Sequence, residues 1–119
     1  MNKKKAEYEK RKILRLMQDI NKHENCLRFY KNESEGHARK KFKLFRKLQK
    51  NGYAVYTEVR FKNRKRADIV AIDKYGRARG FEILETETIK QCEKKLEKYP
   101  KLIEWHIVSS YEDIENAPI

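Results

Sequence analysis

The chain has 119 residues, enough for one domain of ordinary size, and its 39% of apolar residues can form one core. Lysine and arginine number 30 against 18 acidic residues, so the formal net charge is +12. A surplus of this sign attracts polyanions and favours a nucleic-acid partner over a merely soluble charged surface. The cysteines, Cys26 and Cys92, lack the spacing of a zinc site and fit a reducing compartment. With no apolar run of membrane-spanning length and no secretory signal, we expect a cytoplasmic protein that has no membrane partner.

The N-terminal thirty residues predict a helix. Apolar residues recur there near helical spacing, namely Ile13, Leu14, Leu16, Met17 and Ile20. We expect residues 1–33 to form a basic helical extension and residues 34–119 to form the main domain. Ser34 is expected to cap a second helix, which runs from Glu35 to Lys50 and ends at Asn51-Gly52. Its predicted apolar stripe consists of Ala38, Phe42, Phe45 and Leu48.

Strand patterns dominate the second half of the chain. Residues 53–61 and 67–72 are rich in β-branched and aromatic residues and flank a basic loop. Residues 78 to about 87 predict a third strand, which pairs back on the second as a hairpin. Residues 88–99 return to helical spacing, and residues 104–109 predict a last strand. The expected fold is therefore α/β, an α-β-β-β-α-β core after the extra N-terminal helix, with a mixed sheet because the last helix makes a crossover.

Two carboxylates interrupt apolar patterns. Glu35 extends the predicted stripe of its helix, where a buried carboxylate needs a partner or a metal ion. The alternative is a helix-start glutamate held by the first-turn N–H groups. Asp68 opens a strand that is otherwise apolar on both faces, although aspartate is depleted in strands. It could also cap a backbone group or pair with the basic loop before it.

The hairpin count adds a third carboxylate. A turn centred on Tyr75 places Asp68 opposite Glu82 on one face, where two unscreened carboxylates would repel each other. A divalent cation removes this conflict, and Mg²⁺ prefers one or two carboxylates together with waters and phosphate oxygens. A register change of one residue, or a bulge after Leu84, would bring Glu85 into the place of Glu82. The sequence leaves open whether Glu82 or Glu85 lies opposite Asp68.

At these residues the chain resembles a known superfamily. The segments that carry the resemblance are Ser34-Glu35, Leu48 with Gly52-Tyr53-Ala-Val55, Arg66-Ala-Asp-Ile-Val-Ala71 and Phe81-Glu-Ile83. Over about residues 34 to 110 it resembles the restriction-endonuclease-like, or PD-(D/E)XK, nucleases, and looks most like small archaeal Holliday-junction resolvases and related viral or mobile-element nucleases. The resemblance implies a restriction-endonuclease-like core and Mg²⁺-dependent hydrolysis of phosphodiester bonds in DNA, branched or structured DNA included, with Mn²⁺ as a substitute. It also implies a homodimer, since two strands are cut.

The resemblance assigns roles to three acids. Glu35 matches the family's helix acid, Asp68 its aspartate and Glu82 the acid of its E-x-K element, and these would hold the metal. Leu84, however, stands where the family has a catalytic lysine, and Ala67 stands where it often has proline. Three alternatives follow: Lys90 or Lys94 substitutes for the lysine; Glu85-Thr-Glu87 is the working E-x-E element; or the site is degenerate and the protein only binds nucleic acid.

Basic residues beside these acids are the expected phosphate contacts. The candidates next to the metal site are Lys62, Arg64, Lys65 and Arg66, because they would hold a nucleic-acid backbone beside the carboxylates. Arg39 and Lys43, on the second helix, are further candidates. His37 is expected at the surface.

Overall fold

The structure, a computed structural model, describes residues 2–18 and 23–119. Its helices and strands follow in the order α1 (Lys3–Leu14), α2 (Glu35–Lys50), β1 (Ala54–Arg60), β2 (Arg66–Ile72), β3 (Ala78–Ile83), α3 (Ile89–Leu96), β4 (Glu104–Val108) and α4 (Tyr111–Glu115). The predicted α/β class and the predicted order of elements from α2 to β4 are confirmed. No helix within the described residues is long and apolar enough to cross a membrane.

One four-stranded sheet organises the chain, with its strands in the order β1-β2-β3-β4. The first three strands are antiparallel neighbours joined by tight turns. Strand β4 pairs parallel to β3, because α3 carries the chain back across the sheet between them. The predicted mixed sheet is therefore confirmed.

The sheet separates two apolar cores. Successive side chains of a strand point to opposite faces, so each strand contributes to both cores. One core contains Ile13, Met17, Tyr56, Phe61 and Tyr99, and the other contains Leu44, Leu48, Val55, Phe81 and Ile114. The segment before residue 34 thus packs on the sheet, since Ile13 and Met17 are buried in the first core.

The N-terminal helix is shorter than predicted. It ends at Leu14, and Met17 already forms a β-bridge with Phe61. Residues 23–33 are turns and extended chain, with a bridge from Cys26 to Tyr56. Backbone pairing with β1 has replaced the helical hydrogen bonds that the apolar spacing predicted. Ile20 lies outside the described residues.

Helix α2 has the predicted bounds but a different buried face. Ser34 Oγ accepts a hydrogen bond from the backbone N–H of His37, 3.2 Å away, and so caps the helix. The buried residues are His37, Lys41, Leu44, Phe45 and Leu48. The expectation that Ala38 and Phe42 face the core is wrong, and the Phe42 side chain is 50% exposed. The first half of α2 lies over polar groups of the sheet.

The C-terminal half differs from the prediction in two places. Strand β3 ends at Ile83 and not near Glu87, because the Glu85 side chain is bound at the start of α2 and the chain turns away there. The short helix α4 was not predicted; it begins after Ser110 and buries Ile114 against α2.

Candidate active site

Three carboxylates lie in one row across the sheet. Ile69 in the middle strand pairs with Thr57 of β1 and with Phe81 of β3. One position further along, the same registers align Glu58, Asp68 and Glu82. The predicted hairpin register, centred on Tyr75, is therefore confirmed. It places Glu82 opposite Asp68, and the one-residue shift that would have used Glu85 is not adopted.

Regular strand pairing is interrupted at this row. Glu58 has a φ of 50°, a left-handed conformation that few non-glycine residues adopt. On the other side, Oδ2 of Asp68 accepts the backbone N–H of Ile83 at 2.8 Å. A side-chain carboxylate thus occupies the gap between β2 and β3. Local strain of this kind collects at functional sites, which makes the row a candidate site.

His37 holds Asp68 from the α2 side. Its Nε2 lies 3.2 Å from Oδ2 of Asp68 and 3.1 Å from the carbonyl oxygen of Ile83, and its Nδ1 contacts the carboxylate of Glu33. Because all three partners are acceptors, both ring nitrogens donate and the ring is an imidazolium. Burial opposes this charge, but the hydrogen bonds and charges of Asp68 and Glu33 outweigh it and raise the pKa of His37 to about 9. The expectation of a surface histidine is wrong, because α2 turns this position onto the sheet.

Glu82 is buried and held by Tyr99. Its Oε1 lies 2.6 Å from the hydroxyl of Tyr99 and 4.0 Å from Nζ of Lys95. The same hydroxyl lies 2.6 Å from the carbonyl oxygen of Arg66 and has one proton to give, so a proton on Glu82 completes the hydrogen bonds. Burial and the charge of Asp68 raise the pKa of Glu82 well above its usual range, whereas hydrogen bonds hold the pKa of Asp68 low against its own burial. The pKa values of the two facing carboxyl groups are therefore shifted in opposite directions.

Lys41 anchors the third acid of the row. This side chain is fully buried, and its ammonium donates to Glu58 at 2.9 Å, to Glu33 at 2.8 Å and to the carbonyl oxygen of Arg28 at 2.8 Å. All three protons are thereby used. Since Glu33 also contacts His37, a continuous network of charges links Glu58 to Asp68.

The expected position of Glu35 in this site is wrong. Its side chain is 77% exposed and pairs with Arg39 on the helix surface. The acid that reaches the network is Glu33, just before the helix, whose side chain is 2% exposed. Positions 37, 41, 44 and 48 follow helical spacing, so continuing the stripe of Leu44 and Leu48 through polar residues would have identified the buried face.

A lysine of α3 reaches the pair, but not the one expected. Lys90 and Lys94 are both exposed on the helix. The ammonium of Lys95 lies between two acids, 3.3 Å from Glu87 and 4.0 Å from Glu82. Burial opposes its charge, yet these two carboxylates raise the pKa of Lys95. The predicted substitute Lys90 lies more than one turn of the helix before Lys95, and Lys95 is the α3 lysine that lies beside the site.

Glu85 is engaged elsewhere. Its carboxylate accepts the hydroxyl of Tyr30 at 2.9 Å and the backbone N–H of Ser34 at 3.2 Å, and these hydrogen bonds lower the pKa of Glu85. It ties the end of β3 to the start of α2. The structure therefore brings Asp68 and Glu82 together and leaves Glu35 and Glu85 outside the pair.

The donor set suits some metals and not others. Within residues 2–18 and 23–119, no three histidine, cysteine or acidic side chains converge as a metal-binding group. Zinc, which takes three or four protein ligands, does not fit the pair of Asp68 and Glu82. Magnesium does fit, because it keeps several waters and binds through one or two carboxylates. A cation held by both carboxylates would offset the repulsion between them.

The predicted phosphate contacts divide between two surfaces. Arg64 and Arg66 line a cleft of about 450 Å³ with Gln18 and Arg60, next to the start of β2. Lys62 is exposed and Lys65 half-buried on the same loop. The other candidates lie on α2, where Arg39 pairs with Glu35 and Lys43 lines a separate groove beside Phe42. The tertiary structure adds Arg28, Lys31 and Arg60 to the first surface.

No protein-family model, no curated protein and no solved structure matches this chain. Its functional interpretation therefore depends on the row of acids and the cations around them.

Proposed function

We propose that this protein is a metal-dependent endonuclease that hydrolyses phosphodiester bonds in DNA, branched or structured DNA included. The observation that carries the proposal is the facing pair of Asp68 and the buried Glu82, two acids that stability alone would not place together. Groups whose environments push their pKa values apart are typical of catalytic sites. The chain's net charge of +12 suits a nucleic-acid substrate.

Asp68 and Glu82 would hold Mg²⁺, or Mn²⁺ in its place, which supplies charge to the phosphate and lowers the pKa of an attacking water. Tyr99 orients the carboxyl group of Glu82, and His37 orients that of Asp68. Lys95, 4.0 Å from Glu82, brings a positive charge to the place where negative charge develops on the phosphate. Arg66 and Arg64 would hold the nucleic-acid backbone beside these groups.

The finer fold assignment is part of the same proposal. The order α-β-β-β-α-β, the parallel pairing of β4 and the gap between β2 and β3 at Asp68 all support a restriction-endonuclease-like core. We propose further that two copies act as a homodimer, so that each copy cuts one strand of the substrate.

Cleavage tests the proposal directly. Supercoiled plasmid, linear duplex and a four-way DNA junction are incubated with the protein in Mg²⁺, Mn²⁺ or EDTA, and products are separated on denaturing gels. We expect cleavage that requires the metal and falls by at least about 100-fold in Asp68→Asn and Glu82→Gln. Both changes remove a proposed carboxylate ligand while keeping the size of the side chain.

Glu93→Gln is the matched control. Glu93 is an exposed acid on α3, the helix that carries Lys95. This variant, purified in the same way, should cleave as the unchanged protein does. Equal cleavage by Asp68→Asn and the unchanged protein would point to a contaminating nuclease and refute the proposal.

A second candidate is a nucleic-acid-binding protein on the same fold without catalysis. One observation favours it: the imidazolium of His37 contacts both Asp68 and the carbonyl oxygen of Ile83, and so supplies a positive charge at the site already. Salt-dependent DNA binding, with no cleavage in any divalent metal, would support this candidate. Restored metal-dependent cleavage in His37→Ala would show that the histidine blocks an otherwise competent site.

A further inference from the structure

A second cleft lies at the edge of the candidate active site. It has a volume of about 420 Å³ and is lined by Arg28, Phe29, Tyr30, Lys31 and the β-strand residues Glu58, Arg60 and Arg66. This size falls within the range of about 300–1,000 Å³ that is typical of ligand pockets. Arg60 and Arg66 also line the neighbouring cleft of about 450 Å³, so the two form one basic surface.

The segment that carries Phe29 is fixed in place. The backbone N–H of Arg28 donates to Oγ1 of Thr57 at 2.8 Å, and the carbonyl oxygen of Arg28 accepts from the buried ammonium of Lys41 at 2.8 Å. Phe29 follows immediately, and 54% of it is exposed. These hydrogen bonds fix the backbone beside Phe29, and the Lys41 ammonium lies 5.1 Å from the centre of the Phe29 ring. The ring lies in the same cleft as several cations, and aromatic lining with a few polar groups is typical of ligand sites.

The charges of the cleft favour a polyanionic ligand. Lys31, Arg60 and Arg66 line the cleft with one acid, Glu58, which receives a hydrogen bond from Lys41 at 2.9 Å and lies 3.9 Å from Nε of Arg66. The guanidinium of Arg66 also lies 5.2 Å from the centre of the Tyr30 ring. Cations around an aromatic face are the features with which proteins bind single-stranded nucleic acid, where bases stack on rings and phosphates meet lysine and arginine.

We propose that this cleft binds an unpaired nucleotide of a nucleic-acid strand, with its base stacked on Phe29 and its flanking phosphates on Lys31, Arg60 and Arg66. The inference deepens the proposed function, on which it rests for the chemistry at Asp68. A base inside a duplex is stacked on both sides and cannot present its face to Phe29. The cleft therefore directs the site toward strands with unpaired nucleotides, such as those at junctions, flaps and frayed ends.

Binding without cleavage tests the cleft separately from the nuclease. Fluorescence anisotropy in EDTA measures the Kd of the protein for a labelled twelve-residue oligothymidine and for a duplex of equal length. In Phe29→Leu, which keeps an apolar side chain but removes the aromatic face, we expect about tenfold weaker binding of the single strand. Binding of the duplex should change less than twofold, and Phe29→Trp should restore the single-strand affinity.

Phe42→Leu is the matched control. Phe42 is 50% exposed and also lies among cations, but it lines a different groove on α2. Its variant should keep the affinity of the unchanged protein for both probes. Arg60→Gln should reduce the slope of log Kd against log salt by about 0.7 for the single strand.

Several outcomes would refute the proposal that this cleft binds an unpaired nucleotide. These are unchanged oligothymidine binding in Phe29→Leu, equal losses for Phe42→Leu, equal losses on the duplex, or no oligothymidine binding by the unchanged protein. None of them bears on cleavage, because the metal is absent. Conversely, a finding that the protein cleaves DNA in no metal would refute the proposed function and would leave the binding result unchanged.

Discussion

Replacement of the buried lysine on α2 is the most direct test of the charge network beneath the site. Lys41 is 0% exposed, and its three hydrogen bonds join two carboxylates and one backbone carbonyl. In Lys41→Met a side chain of similar length fills the space, but the carboxylates of Glu58 and Glu33 lose their cation. Breaking a buried ion pair in this way costs about 3–5 kcal/mol.

That cost is large for a chain of 119 residues. Its whole stability is expected to be about 6–18 kcal/mol. The entropy of unfolding, about 0.25 kcal/mol/K for this length, converts the loss into a fall in Tm of about 12–20 °C. Thermal unfolding followed by circular dichroism, together with urea titration, measures both quantities.

Two further variants isolate the cause. Lys50→Met changes an exposed lysine of the same helix and should lower Tm by no more than about 2 °C. Adding Glu58→Gln and Glu33→Gln to Lys41→Met removes the unpaired charges and should recover part of the lost stability. A Lys41→Met protein as stable as Lys50→Met would show that the network is not formed, and the reasoning about α2 would fail.

Three other predictions concern the groups around the pair. Folding raises the pKa of His37 from 6.5 to about 9, so its imidazolium contributes about 3 kcal/mol to the free energy of unfolding. This contribution is fully present below pH 6.5 and is lost as the pH rises through about 9. In urea titrations, the difference in unfolding free energy between the unchanged protein and His37→Gln should therefore shrink by this amount between pH 6 and pH 10. Glu82→Gln should raise the free energy of unfolding at pH 8 and raise it less at pH 5, because a raised pKa means that the carboxyl group disfavours folding above its unfolded pKa. A lower Tm for this variant at pH 8 would contradict the assignment. Lys95→Gln should lower the cleavage rate by about 100-fold while Lys90→Gln leaves it unchanged, and equal effects would remove Lys95 from the site.

The sequence by itself determined the local structure of the central elements. Helical spacing predicted α2, and runs of β-branched and aromatic residues predicted the strands. Ser34 predicted the helix cap, and the turn at Tyr75 set the hairpin register. Because side chains alternate strictly along a strand, that register was enough to put Asp68 opposite Glu82. The pairing of these two acids was therefore predictable from the residues between them.

Which other groups meet the pair was decided by the tertiary structure. Glu33, His37 and Lys41 carry polar side chains whose burial depends on how α2 rotates against the sheet, and local patterns do not fix that rotation. Lys95 reaches Glu82 because the crossover sets the position of α3, and the sequence alone had pointed to Lys90 or Lys94. Such contacts depend on how separate helices and strands pack against each other. The spacing of residues along one element does not determine the distances between elements.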